Sequence, residues 1–250
     1  MRRRTLPLGM TTDPLKDPGP AATGGSRHLA HRLRLMVLTG QEMSRGRACQ
    51  AVVRQALRGG ATAIQVREKD LGDGALLELV DSLRLLTRRS EALLLVNDRP
   101  DIAVLAGADG CHLGPKDLTP SQARKVCPRP AIVGFSTRDP RQAAAAAAAG
   151  ADYLGVGPVF STQGKADAGP PLGLARLAEI AAASSLPVVA IGGIGAETAA
   201  ACIEAGACGV AVLSSVTGAA SVAPAARALR RAVEGALHRQ RPEGGKGGAP

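Results

Sequence analysis

The stretch DPRQAAAAAAAGADYLGVG, residues 139–157, contains one complete unit of the fold. Asp139-Pro140 is a typical helix start. Amide hydrogens in the first turn of a helix have no partner within the helix, so proline, which has no amide hydrogen, costs nothing there. An alanine-rich helical segment follows, and Gly150 can supply the left-handed conformation in which helices commonly end. Residues 153–157 are a short apolar run, which indicates a buried strand. The stretch therefore predicts a helix that passes directly into a strand.

The same junction recurs along the chain. A tripeptide of Gly-Ala followed by Thr, Asp or Cys stands before a strand candidate at 60–62, 107–109, 150–152 and 206–208. The strand candidates, most of them nearly continuous in Val, Ile and Leu, are 34–39, 63–67, 93–97, 110–113, 131–135, 153–157, 187–191 and 209–213. Helical patterns between them include 44–58, 74–90, 120–127, 139–149, 173–184, 195–205 and 222–237.

This alternation determines the fold class. Continuous apolar strands are typical of parallel sheets that are covered on both faces. Eight strands, each followed by a helix, predict an α/β protein with a (β/α)₈ TIM barrel. A doubly wound open sheet is the alternative, but it would usually need fewer units and a reversal of strand order.

Composition sets the domain boundaries. Residues 1–32 are rich in Pro, Gly and charge and lack apolar periodicity, which predicts a disordered basic extension. Residues 239–250 are rich in Gly and Pro and predict a short flexible tail. Residues 33–238 remain as a single barrel domain.

The charge distribution argues against nucleic acid as a partner. Of the net charge of +10, residues 1–34 carry +5 and residues 227–250 carry +4, which leaves +1 for residues 35–226. A nearly neutral folded part has no basic face for a phosphate backbone. One Tyr, two Phe and no Trp also provide no platform on which bases could stack.

Cysteine usage and hydropathy indicate the compartment. The five cysteines form no CxxC pair and are odd in number, which favours a reducing environment. The start of the chain has no apolar segment of a secretory signal, and no run of about 20 apolar residues could span a membrane. We therefore expect a cytoplasmic protein without a membrane partner, and the sequence leaves a homo-oligomer open.

Polar side chains gather where the active site of such a barrel lies, at the C-terminal ends of the strands. After the second strand, alternation places Gln65, Arg67 and Lys69 on one face. Two cations and an amide on one face suit a polyanion such as a diphosphate. An ion-pair cluster of Arg67, Glu68 and Lys69 is the purely structural alternative.

Two carboxylates stand at the tips of neighbouring strands. Asp98 follows the third strand and Asp117 the fourth. Such a pair beside an anion-binding face suits Mg²⁺, which takes one or two protein carboxylates together with phosphate oxygens and waters. Asp98 could instead cap the helix that begins near Pro100, and Asp117 could stabilise a turn. Their occurrence as a pair favours the metal.

The remaining strands indicate a second anion site. A hydroxyl, Ser136, follows the fifth strand, and Lys165 lies among small polar residues in an aperiodic segment that suits a mobile loop over a phosphate or an ordinary surface loop. Gly192-Gly193 after the seventh strand and Ser214 after the eighth match the phosphate pocket common in this fold. No Ser-His-Asp set or Cys-His pair stands out, which favours catalysis by positioning and charge.

Taken together, these motifs resemble the thiamine-phosphate synthase family over about residues 33–235. The resemblance rests on QVREK at 65–69, NDR at 97–99, HLG at 112–114 with Asp117, GVGPVF at 155–160, Thr162 with Lys165, VAIGGI at 189–194 and VLS at 212–214.

The resemblance implies a transferase that joins 4-amino-2-methyl-5-hydroxymethylpyrimidine diphosphate to a thiazole phosphate, with Mg²⁺ as cofactor. It implies that the pyrimidine diphosphate is held by Gln65, Arg67, Lys69, Asn97, Ser136 and Lys165. It implies that Mg²⁺ is bound by Asp98 and Asp117. It implies that the thiazole phosphate is held by Thr162, Gln163, Gly164, Gly193, Leu213 and Ser214. The catalytic residues would be Arg67, Lys69 and Lys165, which stabilise the pyrophosphate as it leaves, before the thiazole nitrogen attacks.

The sequence departs from the family pattern at two positions, and two alternative functions remain. Gly164 stands where the family usually has Thr, and Arg138 where it usually has His. One rival is a thiazole tautomerase, a sister barrel that does not need the Gln65, Arg67 and Lys69 face with its two aspartates. The other rival is a non-catalytic barrel that binds a phosphorylated ligand.

Overall fold

The structure, a computed structural model, describes residues 25–162 and 169–240. Eight parallel strands close into a barrel in chain order, with the last strand paired to the first, so the predicted (β/α)₈ fold is confirmed. The strands are β1 Leu35–Leu38, β2 Ala63–Val66, β3 Leu93–Asn97, β4 Gly110–Leu113, β5 Ile132–Thr137, β6 Tyr153–Val156, β7 Val188–Ile191 and β8 Gly209–Val212.

Helices cover the outside of the barrel. They are α1 Gly25–Arg32, α2 Cys49–Arg58, α3 Asp73–Arg89, α4 Pro100–Leu105, α5 Pro120–Val126, α6 Pro140–Ala148, α7 Gly173–Ala183, α8 Ala196–Glu204, α9 Ser214–Thr217 and α10 Val222–Arg239, and a 3₁₀ turn spans Gln41–Met43. Among the described residues, no helix is both long and apolar enough to cross a membrane.

Side-chain alternation divides the core into two layers. Inward-facing strand residues such as Met36, Leu95 and Tyr153 fill the inside of the barrel. Their outward-facing neighbours, such as Val37 and Val96, pack with the helices in a second cluster. Because both faces of each strand are buried, the strands appear in the sequence as unbroken apolar runs.

The helix-to-strand junctions have the predicted conformation. Gly60, Gly107, Gly150 and Gly206 have φ values of +97°, +60°, +97° and +99°. At the start of α6, the Asp139 carboxylate accepts hydrogen bonds from the two following free amides, at 2.8 and 3.3 Å, as expected of a helix cap.

Three local predictions are corrected. A helix, α1, occupies residues 25–32, where no regular structure is predicted, because Leu29 packs against the inner core. The helix predicted from residue 44 begins at Cys49, since Arg45 and Gly46 have positive φ values that a helix does not accommodate. Strand β5 extends to Thr137 and so contains Ser136. Residues 1–24 and 241–250, which hold most of the predicted extension and tail, lie outside the described residues.

The base of the barrel is closed by a tight approach between β8 and the chain before β1. A Cβ atom at Gly209 would lie 2.1 Å from the carbonyl oxygen of Leu33 and 2.6 Å from the Cα atom of Arg34. Since both of these are backbone atoms, a side chain at Gly209 would push the first and last strands apart.

We therefore expect Gly209→Ala to lower the free energy of unfolding by about 1–3 kcal/mol, the usual cost of overpacking. Gly74→Ala is the matched control, because nothing lies within 4 Å of the added Cβ. It should be neutral or stabilising by up to about 1 kcal/mol, since alanine favours the helix. Urea unfolding of both variants measures the difference, and equal midpoints would contradict this account of the base.

Candidate active site

A cavity of about 380 Å³ lies at the C-terminal ends of the strands, and every strand contributes to its lining. The floor is formed by inward-facing residues such as Leu38, Ile191 and Ala211. The residues predicted for substrate binding that line it are Gln65, Arg67, Asn97, Ser136, Thr162, Gly193, Leu213 and Ser214. Lys69, Asp98 and Asp117 are not among the lining residues, and Gln163, Gly164 and Lys165 lie outside the described residues.

Arg67 brings a positive charge to the cavity. Its backbone amide donates to Thr39 Oγ1 at 3.0 Å, which fixes the residue just beyond β2. Glu68 instead accepts from the backbone amide of Gln41 at 2.9 Å. Within residues 25–162 and 169–240, no ion pair involves Arg67 or Lys69, so the alternative of an ion-pair cluster is not found there.

Two charged residues, Asp98 and Arg99, follow the end of β3. Arg99 pairs with Asp73 at 2.5 Å and with Asp101 at 2.6 Å, and these hydrogen bonds lower the pKa of both carboxyls. Arg99 itself is the cap residue of α4, so the alternative role of Asp98 as the helix cap is wrong. Asp98 has φ +63°, a conformation that is uncommon outside glycine and is concentrated at functional sites.

Asp117 has one of the two roles that the sequence leaves open, the stabilisation of a turn. Its Oδ2 atom accepts from the backbone amide of Gly114 at 2.7 Å and so stabilises the turn after β4. Its other carboxylate oxygen and those of Asp98 are oxygen ligands of the kind that Mg²⁺ prefers. In the described part of the chain, no group of three or more His, Cys, Asp and Glu side chains could hold a metal. A metal at these two carboxylates would therefore need oxygens from the substrate.

The ends of β7 and β8 provide a close backbone approach. Gly192 and Gly193 have φ values of +95° and +66°, and a Cβ at Gly193 would lie 2.4 Å from the carbonyl oxygen of Ser161. Ser215 Oγ lines the same end of the cavity, is buried, and has no hydrogen-bond partner among the described residues. The glycine turn, the serine hydroxyls and the short helix α9 match the usual phosphate site of this fold.

Several cavity residues are not among the predicted site residues. The additional polar lining residues are His112, Thr137, Arg138, Asp139, Gln142 and Ser215. Arg138 donates from Nη2 to the carbonyl oxygen of Pro170 at 2.6 Å and is the second cation at the cavity among the described residues. For His112, the signal in the sequence is a polar residue at an inward position of a buried strand.

The fold and the cavity define a (β/α)₈ barrel with a cavity, lined by polar and charged side chains, at the C-terminal ends of its strands. A family model described as thiamine monophosphate synthase matches residues 35–216. The chain belongs to this family, and the predicted enzyme class, a transferase of thiamine biosynthesis, is confirmed.

Individual relatives agree along nearly their whole length. The chain is 49% identical to a thiamine-phosphate synthase of Moorella thermoacetica over 199 residues, which cover 80% of this chain and 95% of the relative. It is 48% identical to the thiamine-phosphate synthase of Methanoculleus marisnigri, over 78% of this chain and 93% of the relative. The solved thiamine phosphate pyrophosphorylase of Pyrococcus furiosus superimposes with a TM-score of 0.78 at 41% identity, over 84% of this chain and 99% of that chain.

The contribution of Arg67 to anion binding can be tested without turnover. We expect Arg67→Gln to weaken the binding of inorganic pyrophosphate at least about tenfold, because a hydrogen bond to a charged group contributes about 1.5–3 kcal/mol. Arg54→Gln, on the exposed face of α2, removes the same charge away from the cavity and should leave affinity unchanged. Titration calorimetry in the presence of Mg²⁺ measures both variants. Equal affinities would show that Arg67 does not contact the anion.

Proposed function

We propose that the chain condenses 4-amino-2-methyl-5-hydroxymethylpyrimidine diphosphate with a thiazole phosphate to give thiamine phosphate and pyrophosphate. The observation that carries the proposal is one cavity with different polar groups at its two ends. Arg67, which has no ion pair with a described residue, lines one side, and the Gly192-Gly193 turn with Ser214 lines the other. Two phosphorylated substrates that must meet would place their anionic groups at these two ends.

The diphosphate belongs at the end formed by β2 to β5. Gln65, Arg67, Asn97 and Ser136 line this side, so their amide, guanidinium and hydroxyl groups can donate to diphosphate oxygens. Lys69 is exposed just beyond Arg67 and is within the same loop, where it can add charge from outside. Lys165 completes the set in the proposal, as the cation of the loop after β6.

The thiazole phosphate belongs at the end formed by β7 and β8. Gly193 and Ser214 can donate from the backbone and the side chain, and Ser215 offers a buried hydroxyl that lacks a partner in the described residues. Leu213 and Thr162 also line the cavity, and in the proposal they contact the thiazole phosphate. In the proposal, Gln163 and Gly164 add backbone contacts, and Gly164 does so without the hydroxyl that is usual in the family.

Asp98 and Asp117 would hold Mg²⁺, which when bound there would neutralise charge on the diphosphate oxygens. The chain's own groups supply the remaining stabilisation. As the bond between the pyrimidine methylene carbon and the diphosphate oxygen breaks, its electron pair leaves with pyrophosphate. Arg67, Lys69 and Lys165 stabilise the negative charge that grows on that group. The lone pair of the thiazole nitrogen then forms the new bond to carbon, so no protein base is required.

The direct test is the formation of thiamine phosphate by the purified chain from both substrates and Mg²⁺. Product should require all three components, and one pyrophosphate should appear for each thiamine phosphate. If the chain only isomerises the thiazole phosphate, or binds both ligands without turnover, the proposed reaction is wrong.

The metal site predicts that Asp98→Asn lowers turnover by orders of magnitude. Asparagine also tolerates the left-handed conformation, so the backbone at this position should be retained while the charge is lost. Chelation of metal by EDTA should reduce activity of the native chain in the same way. Glu78→Gln, an exposed carboxylate on α3, is the control and should leave turnover unchanged. Full activity in EDTA would remove Mg²⁺ from the mechanism.

The proposed role of Lys165 predicts a specific kinetic pattern. Lys165→Ala should lower kcat more than it raises KM for the pyrimidine diphosphate, because a cation that meets growing charge binds the transition state better than the ground state. The loss should be about 2–4 kcal/mol of transition-state stabilisation, as for other oxyanion contacts. Lys165→Arg should rescue activity only in part, since a planar guanidinium does not replace a compact ammonium. A normal kcat with a raised KM would reduce Lys165 to a binding residue.

A further inference from the structure

A continuous hydrogen-bond chain runs through the inside of the barrel to the cavity. Tyr153 Oη lies 2.8 Å from His112 Nδ1, and His112 Nε2 lies 2.8 Å from Ser136 Oγ. Tyr153 is fully buried and His112 is 8% exposed, whereas Ser136 lines the cavity beside His112. The chain therefore connects the closed interior with a hydroxyl that a ligand can reach.

Two glycines make room for this chain. A Cβ at Gly134 would lie 2.2 Å from Tyr153 Cζ and 2.5 Å from His112 Nδ1. A Cβ at Gly155 would lie 2.9 Å from His112 Cε1. The strand register places Gly134 opposite both His112 and Tyr153, so the two side chains meet across the missing Cβ. The two glycines therefore leave the space that the single tyrosine of the chain and its histidine partner occupy.

The direction of the hydrogen bonds follows from the tyrosine. Burial raises the pKa of Tyr153 well above its usual value, so the hydroxyl keeps its proton. A buried hydroxyl proton without an acceptor would cost about 1–3 kcal/mol. Among the described residues, the acceptor in reach is His112 Nδ1. A ring nitrogen that accepts this proton carries none itself, so the ring proton of a neutral imidazole must be on Nε2.

We infer that Tyr153 holds His112 in the Nε2–H tautomer, and that His112 in turn orients the Ser136 hydroxyl as a donor into the cavity. His112 Nε2 donates to Ser136 Oγ, which leaves the serine proton free to point at a ligand. In the opposite tautomer, Ser136 would donate to His112 and could only accept from a ligand. A hydroxyl that donates a hydrogen bond suits an anionic oxygen of a ligand, whereas a hydroxyl that can only accept would repel that oxygen.

This inference rests on the proposed function for the identity of the ligand. There, Ser136 belongs to the group that holds the diphosphate, whose oxygens accept hydrogen bonds and do not donate them. Tyr153 and His112 are then positioning residues: they act on the substrate only by fixing the direction of one hydroxyl. Ser136 is the member of the chain that touches the substrate.

The tautomer can be measured in the free protein by ¹⁵N NMR of histidine-labelled chain, with the His112 signals assigned from His112→Gln. We expect an unprotonated Nδ1 and a protonated Nε2 in the native chain. In Tyr153→Phe, which removes only the hydroxyl, we expect this preference to be lost. A protonated Nδ1 in the native chain would overturn the inference, and no substrate is needed for that result. This measurement is therefore independent of whether the proposed reaction is right.

A double-mutant cycle tests the effect on substrate. Tyr153→Phe and Ser136→Ala should each lower kcat/KM for the pyrimidine diphosphate about tenfold, as expected for one misdirected or lost hydrogen bond to a charged group. The kcat/KM of the double variant should be within about twofold of that of Ser136→Ala, because the tyrosine acts only through the serine. Thr87→Val removes another buried hydroxyl, on α3, and should leave kcat/KM unchanged.

The outcomes separate the two proposals. Effects that multiply in the double variant would show that Tyr153 acts independently of Ser136 and would overturn the positioning role. If the native chain forms no thiamine phosphate, the proposed function fails, while the NMR result still decides the tautomer.

Discussion

Closure of eight short parallel strands is the constraint on which the rest of the structure depends. With four to six residues in each strand, only two or three side chains per strand point inward. Apolar residues such as Leu93 and Val189 fill the lower part of this space, and the last inward position of a strand reaches the cavity. Because all eight strands end at the same rim, polar residues that are far apart in sequence must become neighbours. The active site is thus a consequence of closure, and each strand need supply only one or two groups.

Scarcity of aromatic residues gives this interior its particular form. The chain has one tyrosine, two phenylalanines and no tryptophan, so alanine, valine, leucine and isoleucine must fill the core. Tyr153 is the largest fully buried side chain, and glycine at 134 allows it to reach His112. A larger residue at 134 would have to displace the ring or the backbone. The glycine at 134 therefore determines both the packing of Tyr153 in the interior and its hydrogen bond to His112 at the cavity.

The sequence predicts the fold, and several of the residues that line the cavity, for identifiable reasons. Gly-Ala tripeptides mark the helix-to-strand junctions because only a few residues accept the left-handed conformation found at Gly60 and Gly150. Residues after strand ends are predicted to be in the site because topology alone brings them together. The pairing of His112 with Tyr153 depends on strand register and on an absent side chain at Gly134, neither of which a single strand pattern contains. Helix α1 was missed because its stability comes from a contact of Leu29 with the barrel base and its own pattern is weak.

Charge is distributed at the rim so that only some cations are available to a ligand. Arg99, at the tip of β3, is held by two carboxylates and contributes to the structure of the rim. Arg67, at the neighbouring strand tip, has no ion pair with a described residue and lines the cavity. In the proposed reaction, Arg67 meets the diphosphate, whereas Arg99 is held by Asp73 and Asp101 and stabilises the rim. A guanidinium that faces the cavity suits a catalyst that works by charge and positioning.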